Sequence, residues 1–533
     1  MPGENLTRSE AKRRARDLTT KSYRFDIDIS DAKNSDTFRT RAEIEFRATP
    51  GISSFIDALA ETVHSVELNG RSLDPVSVFD GTRIALPELE AVNVLLIEAD
   101  FAYTRSGEGL HKFTDPVDGE VYLYSQFEVP DSRRVFPVFE QPDLKATFDF
   151  QVRAPEGWQV ISNQPTPEAD VSDGSALFEF GPTPRISSYI TALIAGPYDV
   201  VRDQLTSRNG KAIPLGIFCR KSLWEYLDAD YLFDITKKGF AYFEDVFGVA
   251  YPFDKYDQLF VPEFNAGAME NAGAVTFTEA YVFRGAVSDA MRERRVVTVL
   301  HELAHMWFGD LVTMTWWNDL WLNESFAEWA STIATAEATE WTEAWTTFQA
   351  MEKSWAYRQD QLPSTHPIVA TINDLEDVQV NFDGITYAKG GSVLKQLVAW
   401  VGRDEFFQGV SNYFKRHAWS NTELSDLLHE LEITSGRDLT AWSTVWLETA
   451  GVNTLRPEVE TDADGIITRF AIRQSAPDDW PTPRPHRPVT GLYPHHTAAL
   501  PPLRRVDHDV PRRLTALPRL SGHPPCSRFL ITH

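Results

Sequence analysis

A multidomain α+β fold is predicted by three features of this 533-residue chain. Short runs that alternate apolar and polar residues fill roughly the first two hundred positions, the mark of antiparallel sheet. Apolar residues then recur at helical spacing as far as about Leu455. Beyond that the alternation returns briefly before proline takes over. The length suits about three domains, and 42% apolar with 24% charged residues supplies material for buried cores.

Residues 1–20 read as a polar lead-in or a short helix. From Ser22 come SYRFDIDIS, TRAEIEFRA, VHSVELNG, RIAL and VLLIEADFAY, parted by Gly, Asp, Asn and Pro. The pattern resumes at Ala146 in ATFDFQV and runs through SYITALIAG to about Val201, so 1–203 is taken as an all-β domain. Inside it, YLYSQFEVPDSRRVFPVF places Gln126 and Glu128 on either side of Phe127. In a strand both face the same way. On spacing alone that face is either an exposed polar surface or part of a site.

From 204 to 454 the pattern is mixed and then mostly helical. Gly267, Ala268, Met269, Glu270 and Asn271 form a small-residue segment inside VPEFNAGAMENAGAVTFTEAYVF. Local evidence favours an ordinary Gly-rich turn, although glycine also lets a backbone pass close to a ligand. The stretch that organises the region is VTVLHELAHMWFGDLVTMTWWNDLWLNESFAEW, from Val297 to Trp329. His301 and His305 are four apart, so a helix presents both imidazoles on one face. Glu302 sits about a third of a turn round, within reach of a water on an ion held there. Gly309 offers a stop, and Asn318-Asp319 offer caps for a second helix from about Leu320. Folded back, that helix presents Glu324 as a third ligand. Two His and one Glu leave one position of a tetrahedral zinc open, the pattern of a catalytic site. The competing picture, polar residues on the wet face of an amphipathic helix, fits poorly. The flanks are apolar nearly all round, and an unpaired His and Glu in a buried helix are costly.

Glu328 shares the face of Glu324 and is either a supporting acid or a surface one. Further on, QVNFDGITYAKGG leads into SVLKQLVAWV, a run with helical spacing. Tyr387 precedes that helix as a phenol donor or as a half-buried packing residue. The helices expected in DEFFQGVSNYFKRHA, TELSDLLHELEITSG and LTAWSTVWLETAG are structural. EVETDADGIITRFAIRQ is a hairpin opening another β domain over 455–480. Residues 481–533 hold 11 of the 32 prolines, a density that excludes helix and central strand. That end is expected to be disordered or foreign to the fold.

The net charge of −26 argues against nucleic acid or an anionic membrane as the main partner. Cys219 and Cys526 give no disulfide framework. The polar start lacks the apolar core of a signal peptide, and no run approaches the roughly 18 apolar residues of a membrane span. A soluble cytoplasmic protein is expected.

With HELAHMWFGDLVTMTWWNDLWLNESFAEW, GAMEN and QFEVPDSR on one chain, residues 15–480 resemble the aminopeptidase N family of gluzincin metallopeptidases. Their pattern is HExxH, eighteen residues, then Glu, and eighteen residues separate His305 from Glu324. The resemblance implies an N-terminal β-saddle domain, a thermolysin-like catalytic domain, a β-sandwich and a helical domain. It implies one Zn2+ per chain on His301, His305 and Glu324, with Glu302 as general base. Gly267, Ala268, Met269, Glu270 and Asn271 match the family's exopeptidase motif, in which Glu270 would bind the free α-amino group. Glu128 matches a second amine-binding acid, Gln126 a residue of the first side-chain pocket, and Tyr387 the phenol that stabilises the tetrahedral intermediate. The implied activity is release of single neutral or basic residues from short peptides with a free N-terminus. A cytoplasmic monomer without nucleic-acid or membrane partners is implied as well. Members of the family run on further, whereas here the likeness fades near Trp480, as a truncated or frame-shifted gene would produce. Two readings compete: a thermolysin-type endopeptidase, which gives no reason to keep GAMEN, and a peptide-binding remnant without turnover.

Overall fold

The computed structural model describes residues 4–464 and 467–476, with short backbone pairs at 491–492 and 496–497. Apart from those pairs, the proline-rich segment 481–533 lies outside the described residues, as does Cys526. The chain opens with a helix, Arg8–Asp17. A reciprocal cap starts it: Thr7 Oγ1 accepts from Glu10 N at 3.3 Å, and Glu10 Oε2 accepts from Thr7 N at 2.9 Å. Arg14 ties this helix to the sheet, donating at 2.6 Å both to Asp57 Oδ2 and to Gln141 Oε1. The first strand follows at once, at Leu18 rather than Ser22. Leu18-Thr19-Thr20 pair with Ala48, Arg47 and Phe46, so the β-branched pair extends the strand toward the helix.

Eight strands form the first sheet, in the spatial order Asp170–Ser172, Ser175–Glu179, Thr147–Pro155, Leu18–Asp28, Thr37–Ala48, Val92–Ala102, Thr62–Leu68, Arg71–Leu73. Alternation holds where the sequence shows it. Val92–Ala102 buries every second side chain, leaving Val94 and Leu96 on the wet face. A second sheet has four strands, Gln159–Ser162, Leu193–Gly196, Val121–Gln126 and Gly109–Thr114. The third has five: Asp199–Thr206, Ala212–Cys219, Tyr256–Val261, Ala274–Thr278 and Ala268–Met269. Residue 203 thus falls inside a strand of this third sheet. Tyr256–Val261 lies parallel to both neighbours and is buried at all six positions, Asp257 and Gln258 included.

The second and third sheets share a core that includes Tyr122, Tyr124, Ile194, Phe218, Leu259 and Val261. Each such side chain contributes on the order of 1.5–3 kcal/mol when fully buried. The packing has a positional consequence. It carries the end of strand Val121–Gln126 beside the edge strand Ala268–Met269. Helices complete the region, chiefly Ala229–Phe247, Asp289–His305, Trp321–Ala338, Gly390–Val401, Arg403–His417 and Leu424–Ser435. The expected hairpin is present as Thr454–Thr461 paired antiparallel with Ile467–Ser475. A second apolar core runs without a break from Leu6 to Leu447, so the β-rich and helical parts form one packed body.

Glu140 sits in this body, 2% exposed. It accepts from Ser132 Oγ at 2.6 Å, Arg133 N at 2.9 Å and Ser188 Oγ at 2.8 Å. Burial nevertheless pushes its carboxyl up to about 7 from an ordinary 4.5. The folded chain therefore keeps a proton that the unfolded chain releases between those values. Stability falls as pH rises through that window, by about 3 kcal/mol in full above it. Glu140→Gln should melt close to the parent at pH 5 and roughly a few degrees higher at pH 8. An equal shift at both pH values in scanning calorimetry would assign the effect to packing and not to titration.

Candidate metal centre

The helix Asp289–His305 starts on Ser288, whose Oγ accepts from Met291 N at 3.4 Å. Its second half is buried from Arg295 onward but for Val297, so His301 (8% exposed), Glu302 (4%) and His305 (1%) lie in the interior. Glu324, 2% exposed, comes from the helix Trp321–Ala338 packed against it. Glu324 Oε2 lies 3.3 Å from His301 Nε2 and 3.5 Å from His305 Nε2. The three ligating atoms fall within 4.8 Å of one another, a group that can hold a metal ion. Each imidazole is held from behind. His305 Nδ1 donates to the Phe308 carbonyl at 2.9 Å, and His301 Nδ1 faces Glu328 Oε2 at 3.6 Å. Both Nε2 atoms are thereby turned to the same carboxylate, the orientation in which a metal receives them. Glu328 is 4% exposed, which decides between its two readings: it is no surface acid.

The turn between the two helices differs from expectation. The first helix ends at His305, and Gly309 follows with φ of 120°. A Cβ there would stand 2.9 Å from Asn323 Nδ2, so the close return of the chain requires glycine. Asn318-Asp319 do not cap the second helix. The 3-10 turn Trp317–Asp319 runs straight into it through Leu320 (φ −50°, ψ −32°), leaving no extended capping residue. The Asp319 carboxylate accepts instead from Trp321 Nε1 at 3.3 Å and Leu424 N at 3.4 Å.

The other candidate residues converge on the same space from two sheets. Strand Val121–Gln126 stops one residue short of Phe127, so Glu128 is in a turn and not in the strand. It still faces the site, because Phe127 is fully buried and anchors the turn from the opposite side. Gln126 Nε2 contacts Met269 Sδ at 3.5 Å. Gly267–Asn271 is no free turn either. Ala268 and Met269 form the edge strand of the third sheet, opposite Phe277 and Thr276. Glu270 follows, 3% exposed, with an oxygen in one group with those of Glu128 and Glu324. Asn271 turns into the wall and donates from Nδ2 to Thr276 Oγ1 at 3.3 Å. Gly267 is exposed, its carbonyl accepting from Thr278 N at 3.0 Å.

Tyr387 belongs to a π-turn, Ile385–Lys389, that leads into the helix Gly390–Val401. Its ring lies over His301 with centroids 6.0 Å apart. Ser325, next to Glu324, fixes this turn by donating to the Thr386 carbonyl at 2.5 Å. Gly390 permits the approach, since a Cβ there would collide with Ser325 Oγ.

Electrostatics show what the site lacks. Burial pushes Glu302 up to about 8, against the pull of His301 and His305. Burial, followed by the charge of Glu270, holds Glu128 well above the carboxylate range. Glu324 goes the other way: burial opposes ionisation, but His305 and His301 bring it down to about 2. His301 is lifted to about 9, with Glu324 and Glu328 outweighing burial. One oxygen each of Glu128, Glu270, Glu302 and Glu328 is buried without a hydrogen-bond partner. Four carboxyls, Glu128, Glu270, Glu302 and Glu324, against two imidazoles in a dry space call for added positive charge.

No sequence expectation covers Lys145 or Asp310. Lys145, 1% exposed, reaches from the β-rich part and donates to the carbonyls of Asp310 and Leu311, each at 3.4 Å. Burial pushes its amine down to about 7 and Asp310 well above its ordinary range. The signal available was a lysine at a core position of the run DLKATF. Among the described residues no helix is long and apolar enough to cross a membrane.

Comparison with known proteins gives the family of the chain. Residues 231–446 match the description "Peptidase family M1 domain", and residues 19–190 match "Peptidase M1 N-terminal domain". Aminopeptidase N of Streptomyces lividans is 61% identical over 533 aligned residues, covering 98% of this chain and 62% of that protein. That alignment runs past residue 480. Tricorn protease-interacting factor F2 of Thermoplasma volcanium is 34% identical over 68% of this chain and 45% of its own length. Leucyl aminopeptidase of Saccharolobus solfataricus is 33% identical over 76% of this chain and 50% of its own. The chain thus spans 62% of the first of these relatives and about half of the other two.

Proposed function

The chain belongs to the aminopeptidase N family of M1 peptidases, and on that premise we propose that it is a zinc aminopeptidase, releasing single N-terminal residues from short peptides. The observation that carries this reading is the double deficit of positive charge at the site. One cation fits among His301 Nε2, His305 Nε2 and Glu324 Oε2, whose lone pairs already converge. A second, of ammonium type, fits between Glu128 and Glu270, whose free oxygens are buried. The donor set of two imidazoles and one carboxylate, with both rings oriented from behind, suits zinc. Zinc held there supplies a Lewis acid that makes water a nucleophile near neutral pH and polarises a carbonyl.

The chain's own residues do the rest. Glu302 is adjacent to the ligand set and has a free buried oxygen; it takes the proton of the attacking water and passes it to the leaving amine. Tyr387, held over His301, donates from its hydroxyl to the oxyanion that develops at the scissile carbonyl. Ala268–Met269 is an edge strand, so its outward backbone groups pair with an extended peptide. Gln126 and Met269 line the space next to the amine anchor and contact the first side chain. Glu128 and Glu270 fix the distance from ammonium to metal and leave room for one residue, which makes the cleavage exopeptidic. The negative field of the site and the net charge of −26 favour neutral and basic first residues.

The test is hydrolysis of Ala-, Leu-, Lys- and Arg-arylamides beside their N-acetylated forms. Free amines should be released and acetylated ones should be inert. Glu270→Gln should cost about 10²-fold in kcat/KM, mainly through KM, as expected for one charge-assisted contact to the ammonium. Equal turnover of acetylated substrates, or cleavage at internal bonds of long peptides, would replace this reading with an endopeptidase. Binding of zinc and peptide with no release would leave a peptide-binding protein.

A further inference from the structure

The first turns of the helix Asp289–His305 carry a cavity of about 310 Å³ that the metal site does not use. Its walls include Tyr231, Phe283 and Trp341, with Tyr226 at the mouth, and its charged residues are Asp228, Glu340, Arg292 and Arg295. Both acids are committed to the wall. Asp228 Oδ2 accepts from Arg295 Nη2 at 2.9 Å. Glu340 Oε1 accepts from the Tyr231 hydroxyl at 2.7 Å, and that oxygen accepts from Trp341 Nε1 at 3.0 Å. Arg295 is 3% exposed and forms the floor, its guanidinium 4.5 Å from the Phe283 ring centroid and 5.4 Å from that of Tyr231. Its Nε is buried without a partner. Arg292, one turn before it, is exposed and has no acid within ion-pair reach among the described residues. Arg295 and Asp228 thus pair with each other, while Arg292 stands at the cavity beside aromatic walls without an ion-pair partner among the described residues, and Glu340 is held back by the Tyr231 hydroxyl. A site of this size and lining suits a small planar ligand.

We propose that this cavity is a second ligand site for a small molecule that joins an aromatic ring to a carboxylate. The carboxylate pairs with Arg292, a charge-assisted contact that a guanidinium makes in two-pronged geometry. The ring lies against Phe283 and Trp341, with Arg295 beneath. The site is separate from the metal centre, since Arg295 precedes His301 by six residues, about 9 Å along the helix axis. On a chain of net charge −26 the general field repels anions, so saturable uptake of one requires a local cation of this kind.

The probe is 3-phenylpropanoate, which lacks the ammonium that Glu128 and Glu270 would take. It is titrated calorimetrically into the full chain with its metal in place, and Arg292→Glu separates uptake here from any uptake at the metal, which that change does not touch. One site with a Kd on the order of 1–10 mM is expected for a ligand of this size. Arg292→Glu, a change at an exposed position, should weaken it at least about tenfold. Trp341→Ala should weaken it as well, while acetate and 3-phenylpropylamine should bind about tenfold less tightly than the probe. The proposal is overturned by no saturable uptake up to about 20 mM, by undiminished binding to Arg292→Glu, or by the amine binding as well as the acid.

Discussion

Glu302→Gln is expected to lower kcat for release of an N-terminal residue by about 10²–10⁴-fold, with little change in KM and with zinc still bound at one per chain. The reasoning is local. Glu302 stands in one group with Glu270 and His305, but the pair of imidazoles and Glu324 complete a ligand set without it. Its Oε2 is buried and has no partner in the wall, so an amide in its place breaks no supporting hydrogen bond. What is lost is the ability to take a proton. Burial raises this carboxyl while His301 and His305 pull it down, and a carboxylate with an unpartnered buried oxygen beside the ligand set can accept a proton and return it. The variant should melt no lower than the parent, because the site loses a buried acid. Metal content by atomic absorption, arylamide kinetics and a melting curve on one preparation settle the matter. Loss of zinc with loss of activity would make Glu302 a ligand; retention of more than about a tenth of kcat would remove it as the base.

The grouping of His301, His305 and Glu324 was legible because its geometry is short-range. Four residues from His301 to His305 fix a helix face, and a buried neighbouring helix within twenty-odd residues supplies Glu324. Glu328 was half legible. Its face followed from the spacing, but its burial depended on the helix being enclosed at every position from Trp321 to Thr335. Glu128 and Glu270 were not legible from local pattern. A two-residue edge strand is too short to show alternation, so Ala268–Met269 looked like a Gly-rich turn. Likewise the strand ends at Gln126, and only the packing of two sheets over Tyr122, Tyr124 and Leu259 brings the turn at Glu128 to the same space. Lys145 and Asp310 lie 165 residues apart, and no periodicity links them. The resemblance to the aminopeptidase N family supplied what the local pattern could not. The caps assigned to Asn318-Asp319 failed for the opposite reason: a good local signal was overridden by a 3-10 turn that enters the helix without an extended residue.

Glu324→Ala should abolish both zinc binding and activity, taking metal from one per chain to a small fraction and kcat/KM down by about 10³-fold or more. Glu324 Oε2 is the atom to which both imidazole Nε2 atoms point, at 3.3 and 3.5 Å. Without it the two rings face each other with no acid between them, and His301 loses the larger of the two carboxylates that lift it to about 9. Glu328→Gln gives a graded comparison. Its carboxylate stands 3.6 Å behind His301 Nδ1 and orients the ring without joining the ligand set. Loss of such an outer partner typically costs 10–100-fold in metal affinity or activity. Zinc added to metal-free protein should then raise the melting temperature of the parent most, that of Glu328→Gln less, and that of Glu324→Ala not at all, following the free energy of binding to the folded state. Chelation should silence the parent, and zinc should restore it but not Glu324→Ala. If Glu324→Ala keeps zinc at parental affinity, the ion sits instead on the alternative group of Glu270, Glu302 and His305. Glu302 would then be a ligand, and the proton would have to be carried by another group.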